Sequence, residues 1–91
     1  MIKSFQHKGL KQLFEKGSSA KVNPQQKVKC IRQMDALDVA SKPDAMNVPG
    51  WDFHGLEGKP KRYSISVNGN WRITFQWEGE DATHVNLEDY H

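Results

Sequence analysis

The order of apolar and polar positions divides the chain into a helical first part and a strand-forming last part. From His7 to Lys16, Leu10, Leu13 and Phe14 recur at helical spacing, and Gly17 stands where a helix C-cap belongs. Ser18, Ser19 and Ala20 open a short linker of small residues. Asn23-Pro24 then pairs a good N-cap with a proline suited to the first helical position. Val28, Ile31, Met34 or Asp35, and Leu37-Asp38 continue a helical period, which predicts a second helix running to about Ala40. Ile2 to Phe5 is expected to form a short opening strand. Residues 41–61 are punctuated by Pro43, Pro49, Gly50, Gly55, Gly58 and Pro60, and are expected to form a long ordered loop with one short strand. Loops of that length in small domains tend to carry function.

In the last third the period changes to two. Tyr63, Ile65 and Val67 alternate with Ser64, Ser66 and Asn68, and Trp71, Ile73, Phe75 and Trp77 alternate with Arg72, Thr74 and Gln76. Cross-strand partners share a face, so the intervening loop must hold an odd number of residues if both apolar sets point inward. A loop of Asn68-Gly69-Asn70 pairs Val67 with Trp71 and Ile65 with Ile73, and sets Arg72 opposite Ser66. The same test, applied to Val85 and Leu87, pairs Ile73 with Leu87 and Phe75 with Val85, leaving residues 78–82 as a turn. Arg72 then faces Glu88, and Asp89-Tyr90-His91 arrives at the same rim of the sheet. Trp71 and Trp77 keep the apolar parity of their strand and are expected in the core. The expected fold class is α+β, one domain over residues 1–91, with two N-terminal helices packed on a small antiparallel sheet.

Composition narrows the setting. A chain of 91 residues holds a single core. Cys30 is the one cysteine, so no internal disulfide forms and a reducing, cytoplasmic location is the simpler expectation. No apolar run approaches the roughly 18 residues of a spanning helix, so no membrane role is expected. The net charge of +2 conceals a strong asymmetry. Residues 1–34 carry Lys3, Lys8, Lys11, Lys16, Lys21, Lys27, Lys29 and Arg32 against Glu15 alone, whereas residues 73–91 carry acids and no Lys or Arg. Such a distribution suits a polyanion approached in one orientation, though it also suits a solvated helical face.

RNA can be cut without a metal when a ribose 2′-hydroxyl attacks the adjacent phosphate. That reaction needs a base, an acid and a cation for the developing negative charge. Histidine serves either proton role near neutral pH, and arginine presents a planar, permanently charged fork to phosphate. His54, Arg72, Asp89, Tyr90 and His91, with Lys59, Lys61 and Arg62, supply these types. Taken singly each has a plainer explanation: Arg72 pairing with Glu88, His54 bonded to backbone, a frayed terminus, a solvated basic loop. Other chemistries fit worse. His7, His54, His84 and His91 lack metal-ligand spacing, so no metal site is expected. Gly-rich phosphate loops, Cys–His nucleophile pairs and serine nucleophile elbows are missing from the sequence.

The opening MIKSFQHKGLKQLFEKG, the segment HGLEGKPKRYSISVNGNWRITF and the closing LEDYH resemble the HigB toxins of the RelE superfamily. The resemblance runs in order along nearly the whole chain. It implies a RelE-like fold and a toxin of a type II toxin–antitoxin system. Its implied activity is that of a ribosome-dependent mRNA interferase, an endoribonuclease that cuts the A-site codon by 2′-hydroxyl attack with no metal or cofactor. The same resemblance implies catalytic roles for His54, Arg72, Asp89, Tyr90 and His91: proton transfer by His91 and His54, phosphate binding by Arg72, and nucleotide stacking or orientation by Tyr90. Asp89 would orient a histidine or contact a base. Lys59, Lys61 and Arg62 are the expected substrate-binding cations. Glu57 departs from the pattern, because close relatives can have lysine there. The implied partners are a helix-turn-helix antitoxin of the HigA type, the ribosome with its mRNA, and operator DNA reached only through the antitoxin. The rival reading within the superfamily is a toxin that poisons DNA gyrase without cutting RNA, which has no use for a terminal Asp-Tyr-His beside Arg72.

Overall fold

A computed structural model describes residues 1–90. His7 is the N-cap of the first helix, α1 (Lys8–Lys16), with its Nδ1 accepting from the Leu10 amide at 3.0 Å. Gly17 ends it at φ +77°, a left-handed conformation that costs glycine little. Asn23 caps the second helix, α2 (Pro24–Val39), by accepting from the Gln25 amide. A single 3-10 turn, Pro43–Met46, follows. Four strands complete the fold: β1 (His54–Leu56), β2 (Arg62–Asn68), β3 (Trp71–Glu78) and β4 (Asp81–Asp89). They form one antiparallel sheet in the order β1-β2-β3-β4.

The expected α+β architecture is therefore present, with α1 and α2 on one face of the sheet. Leu10 and Leu13 of α1 and Cys30, Met34 and Leu37 of α2 meet Ile65, Val67, Ile73, Phe75, Val85 and Leu87 in one buried cluster. Gln33 of α2 is fully buried as well, and its amide donates to the Ser66 carbonyl at 2.7 Å. The other face carries the polar alternates. His54, Ser64, Thr74 and Asn86 are register partners in one row across it, and Ser66, Arg72 and Glu88 in the next.

Both hairpins differ from the expected turns while keeping the expected pairs at their centres. Ile65↔Ile73, Ser66↔Arg72, Ile73↔Leu87 and Arg72↔Glu88 are all observed. Asn68, not Val67, partners Trp71, because a bulge between Ser66 and Asn68 supplies the odd residue and leaves a two-residue turn at Gly69-Asn70. In β3–β4 the Glu78↔Asp81 pair shortens the turn to Gly79-Glu80, and an irregularity between Thr74 and Gln76 restores parity at the expense of the expected Phe75–Val85 pair. His84 lies in that part of β4 at φ +53°, its amide held by Ser4 Oγ at 2.8 Å. Trp71 departs from expectation too: it is exposed at the hairpin end, where an open pocket separates it from His7, Asn23 and Gln26 at the helix starts. Trp77 is partly buried against the core, edge-on to Phe75. Ile2–Phe5 forms no regular strand; Ile2 and Phe5 make isolated parallel bridges to Ala82 and Val85.

Candidate active site

Arg72 enters the polar face at the start of β3, directly opposite Glu88 in register. Its side chain nevertheless turns the other way, across β2. Nε donates to Ser64 Oγ at 2.9 Å, one terminal nitrogen donates to Asp52 Oδ2 at 3.2 Å, and the other donates to the Asp52 backbone carbonyl. A rigid guanidinium fork can meet a carboxylate and a carbonyl of one residue in this way, which an ammonium cannot. The Arg72 side chain is only 15% exposed, whereas the Asp52 carboxylate is 60% exposed, so the bond to Ser64 is sheltered and the two to Asp52 face solvent. The second carboxylate oxygen of Asp52, Oδ1, lies 2.9 Å from His54 Nε2. Asp52 thus ties His54 and Arg72 together. The Arg72 hydrogen bond, above all, holds the Asp52 carboxyl below the usual carboxylate range, with the His54 charge helping.

The loop before β1 explains why Asp52 stands there. The Ser66 amide donates to the Trp51 carbonyl at 2.7 Å, which fastens the loop to β2 where β1 does not reach. Gly50 and Asp52 both adopt left-handed backbone conformations, at φ +88° and +49°. Aspartate tolerates that region better than most residues, and here its carbonyl is also held by Arg72.

A second cluster adjoins the first. Glu88 accepts from Arg62 at 3.0 Å and from Thr74 Oγ1. The same arginine reaches the Tyr90 hydroxyl at 3.5 Å. Tyr90 continues the sheet pairing past β4, its amide donating to the Asn70 carbonyl at 2.7 Å. Between the clusters opens a cavity of about 490 Å³ lined by His54, Glu57, Ser64, Asn70, Arg72 and Tyr90, among others. That volume lies within the usual range of small-ligand sites.

Of the residues singled out in the sequence, His54, Arg72 and Tyr90 converge on this cavity. Arg62 stands at its rim beside Tyr90, tied to Glu88 rather than free. Asp89 pairs with Trp71 at the end of β4 and does not line the cavity. Lys61 lies with its ammonium 5.8 Å from the Tyr63 ring centre, and neither it nor Lys59 lines the cavity. His91 lies outside the described residues. Glu57, at the position where lysine was the alternative, faces the cavity and opposes an anion there. Arg72 pairs with Asp52 instead of Glu88, so the plainer reading of that arginine is replaced. Sequence reasoning missed Asp52 and Ser64. An acid two residues before His54 was the visible cue, but the left-handed backbone at Asp52 breaks the extended alternation that would have placed it. Among the described residues, no group of three His, Cys, Asp or Glu side chains is arranged to hold a metal ion.

A family model described as the RelE-like toxin of the type II toxin–antitoxin system HigB matches residues 3–91. The chain belongs to this family. The HigB-like toxin is 46% identical over 92 residues to a protein of Proteus vulgaris named Endoribonuclease HigB, with all of both chains covered. It is also 30% identical over 93 residues to Toxin HigB-1 of Vibrio cholerae, covering 99% of this chain and 98% of that one. In this HigB-like toxin, the cavity therefore lies on the polar face of a RelE-like sheet, opposite the helices.

Proposed function

We propose that this HigB-like toxin is an endoribonuclease that cuts mRNA in the ribosomal A site and so arrests translation. The observation that carries the reading is the convergence of His54, Arg72 and Tyr90 on one cavity, a proton-transfer group and a phosphate-binding group beside an aromatic ring. The full-length likeness to a named endoribonuclease supports the same reaction class. Cleavage proceeds by attack of the 2′-hydroxyl on the adjacent phosphate, without metal or cofactor, and leaves a 2′,3′-cyclic phosphate (or 3′-phosphate) and a 5′-hydroxyl. His54 and His91 transfer the protons, Arg72 binds the scissile phosphate, and Tyr90 stacks on or orients the nucleotide. Asp89 serves the same centre by orienting a histidine or contacting a base. Lys59, Lys61 and Arg62 hold the flanking RNA backbone.

The exposed Lys8, Lys11, Lys16 and Lys21 on and after α1 suit contact with ribosomal RNA, an attraction that weakens with salt as phosphate neutralisation requires. The antitoxin partner is a HigA-like helix-turn-helix protein, through which the complex reaches operator DNA. The toxin acts in the cytoplasm as one domain, residues 1–91; no helix among the described residues is long and apolar enough to cross a membrane. The test is induction of the wild-type chain and His91→Ala separately in bacteria, with new mRNA 5′-ends mapped on translated and untranslated versions of one transcript. Cuts confined to the translated transcript and lost in the variant are expected. Growth arrest with no new RNA ends would refute the nuclease reading and return the gyrase-poison alternative.

A further inference from the structure

His54 lines the cavity but shows its Nε2 to Asp52, 2.9 Å away. Asp52 itself does not line the cavity, so its carboxylate backs His54 and Arg72 without occupying the space they border. Each oxygen of that carboxylate has one partner: Oδ2 accepts from Arg72, and Oδ1 faces Nε2. An ionised carboxylate only accepts hydrogen bonds. Nε2 must therefore carry the proton. The remaining ring nitrogen, Nδ1, has no hydrogen-bond partner among the described residues, and in a neutral ring it carries the lone pair.

We propose that Asp52 is a positioning residue that fixes His54 in the Nε2-protonated tautomer, presenting Nδ1 to the cavity as proton acceptor, while the same carboxylate aligns Arg72. The proposal rests on the RNA-cutting reading of this cavity given above. In the step it serves, the ribose O2′–P bond forms and the P–O5′ bond breaks. The hydroxyl proton passes to His54 Nδ1, and the departing 5′-oxygen takes a proton from the second histidine. Asp52 then faces an imidazolium, whose charge it stabilises at close range. Its own placement is firm, because Arg72 holds its carbonyl and Ser66 holds the carbonyl before it.

The chemistry of Arg72 makes one substitution diagnostic. Arginine only donates, so in Asp52→Asn the amide oxygen turns to Arg72 and the amide nitrogen to His54. A donor facing Nε2 forces the proton onto Nδ1 and removes the acceptor from the cavity. Asp52→Ala removes the constraint and leaves both tautomers accessible. The milder-looking asparagine variant is thus the more damaging: cleavage should fall roughly 100-fold or more, against roughly tenfold for alanine. Long-range proton–nitrogen correlation spectra of histidine-labelled toxin, with His54→Gln to assign the signal, should show the Nε2-protonated form in the wild type. The asparagine variant should show the Nδ1-protonated form.

Cleavage of a translated mRNA is measured on the same three proteins. A wild-type His54 protonated on Nδ1 overturns the proposal, and so does an asparagine variant that cuts as fast as alanine. A side chain that mattered only for folding would leave the tautomer unmoved and make alanine the worse variant. If the wild type cuts no RNA, the nuclease reading fails by itself, and the spectra still decide whether Asp52 sets the His54 tautomer.

Discussion

Replacing Arg72 by lysine keeps the positive charge and removes the fork, which makes it a demanding test of the site. Arg72 makes three hydrogen bonds, to Ser64 Oγ and to the carboxylate and carbonyl of Asp52. A lysine ammonium on a single stem can hold one of these partners well but cannot span all three. The Ser64 hydroxyl, fully buried, then loses its charged donor. An unmet buried polar group costs about 1–2 kcal/mol, which lowers the melting temperature of a domain this size by roughly 5–15 °C. The catalytic loss should be larger than the structural one. A misplaced donor to a developing phosphorane charge typically costs about 100- to 1,000-fold in rate. Single-turnover cleavage of a translated mRNA, run well below the variant's melting temperature, separates the two effects. An Arg72→Lys toxin that cuts within about threefold of the wild-type rate would refute the assignment of this guanidinium to the phosphate.

Other perturbations probe different parts of the molecule. Asp52 has a folded-state pKa below its unfolded value, so its clamp should be complete above about pH 4 and fade as pH falls through the lower value. A carboxyl-carbon NMR titration that placed Asp52 above pH 4 would contradict the Arg72 bond. Burial pushes the Cys30 thiol up to about 11, so a thiol reagent at pH 8 should label native toxin far more slowly than toxin in denaturant; equal rates would refute its place in the core. Leu37→Ala removes a fully buried side chain from the helix–sheet cluster and should cost about 2–5 kcal/mol in urea unfolding. A loss under about 1 kcal/mol would show that α2 packs elsewhere.

Periodicity located the helices and the three long strands because each element buries one face, and alternation records that directly. The parity argument also put Arg72 between Ser66 and Glu88, since the central pairs of a hairpin are fixed by which side chains must point inward. It misjudged both turns because a bulge and a longer loop satisfy parity equally well, and sequence does not distinguish them. Trp71 follows the apolar alternation yet is exposed, because alternation says which face a residue occupies and not how closely the covering layer packs on it. The site was legible in the types at His54, Arg72 and Tyr90. Asp52 was not, because its position depends on a loop folded through left-handed conformations and fastened by backbone bonds to Ser66 and Arg72. No period marks such a segment.

The chain's first residues lie alongside β4, with backbone hydrogen bonds linking Lys3 to Ala82, Ala82 to Met1, Val85 to Ser4 and Gln6 to Val85. The margin of the sheet formed by β4 is thereby paired over residues 82–85. At the opposite margin stands β1, three residues long, and one of them is His54. A protein that recognises sheets by lending them an extra strand would find residues 82–85 of β4 already paired, whereas His54-Gly55-Leu56 forms the other edge strand. Recognition by strand addition at that second edge would fall on the strand that carries His54, so a binder of that kind would stand beside the cavity.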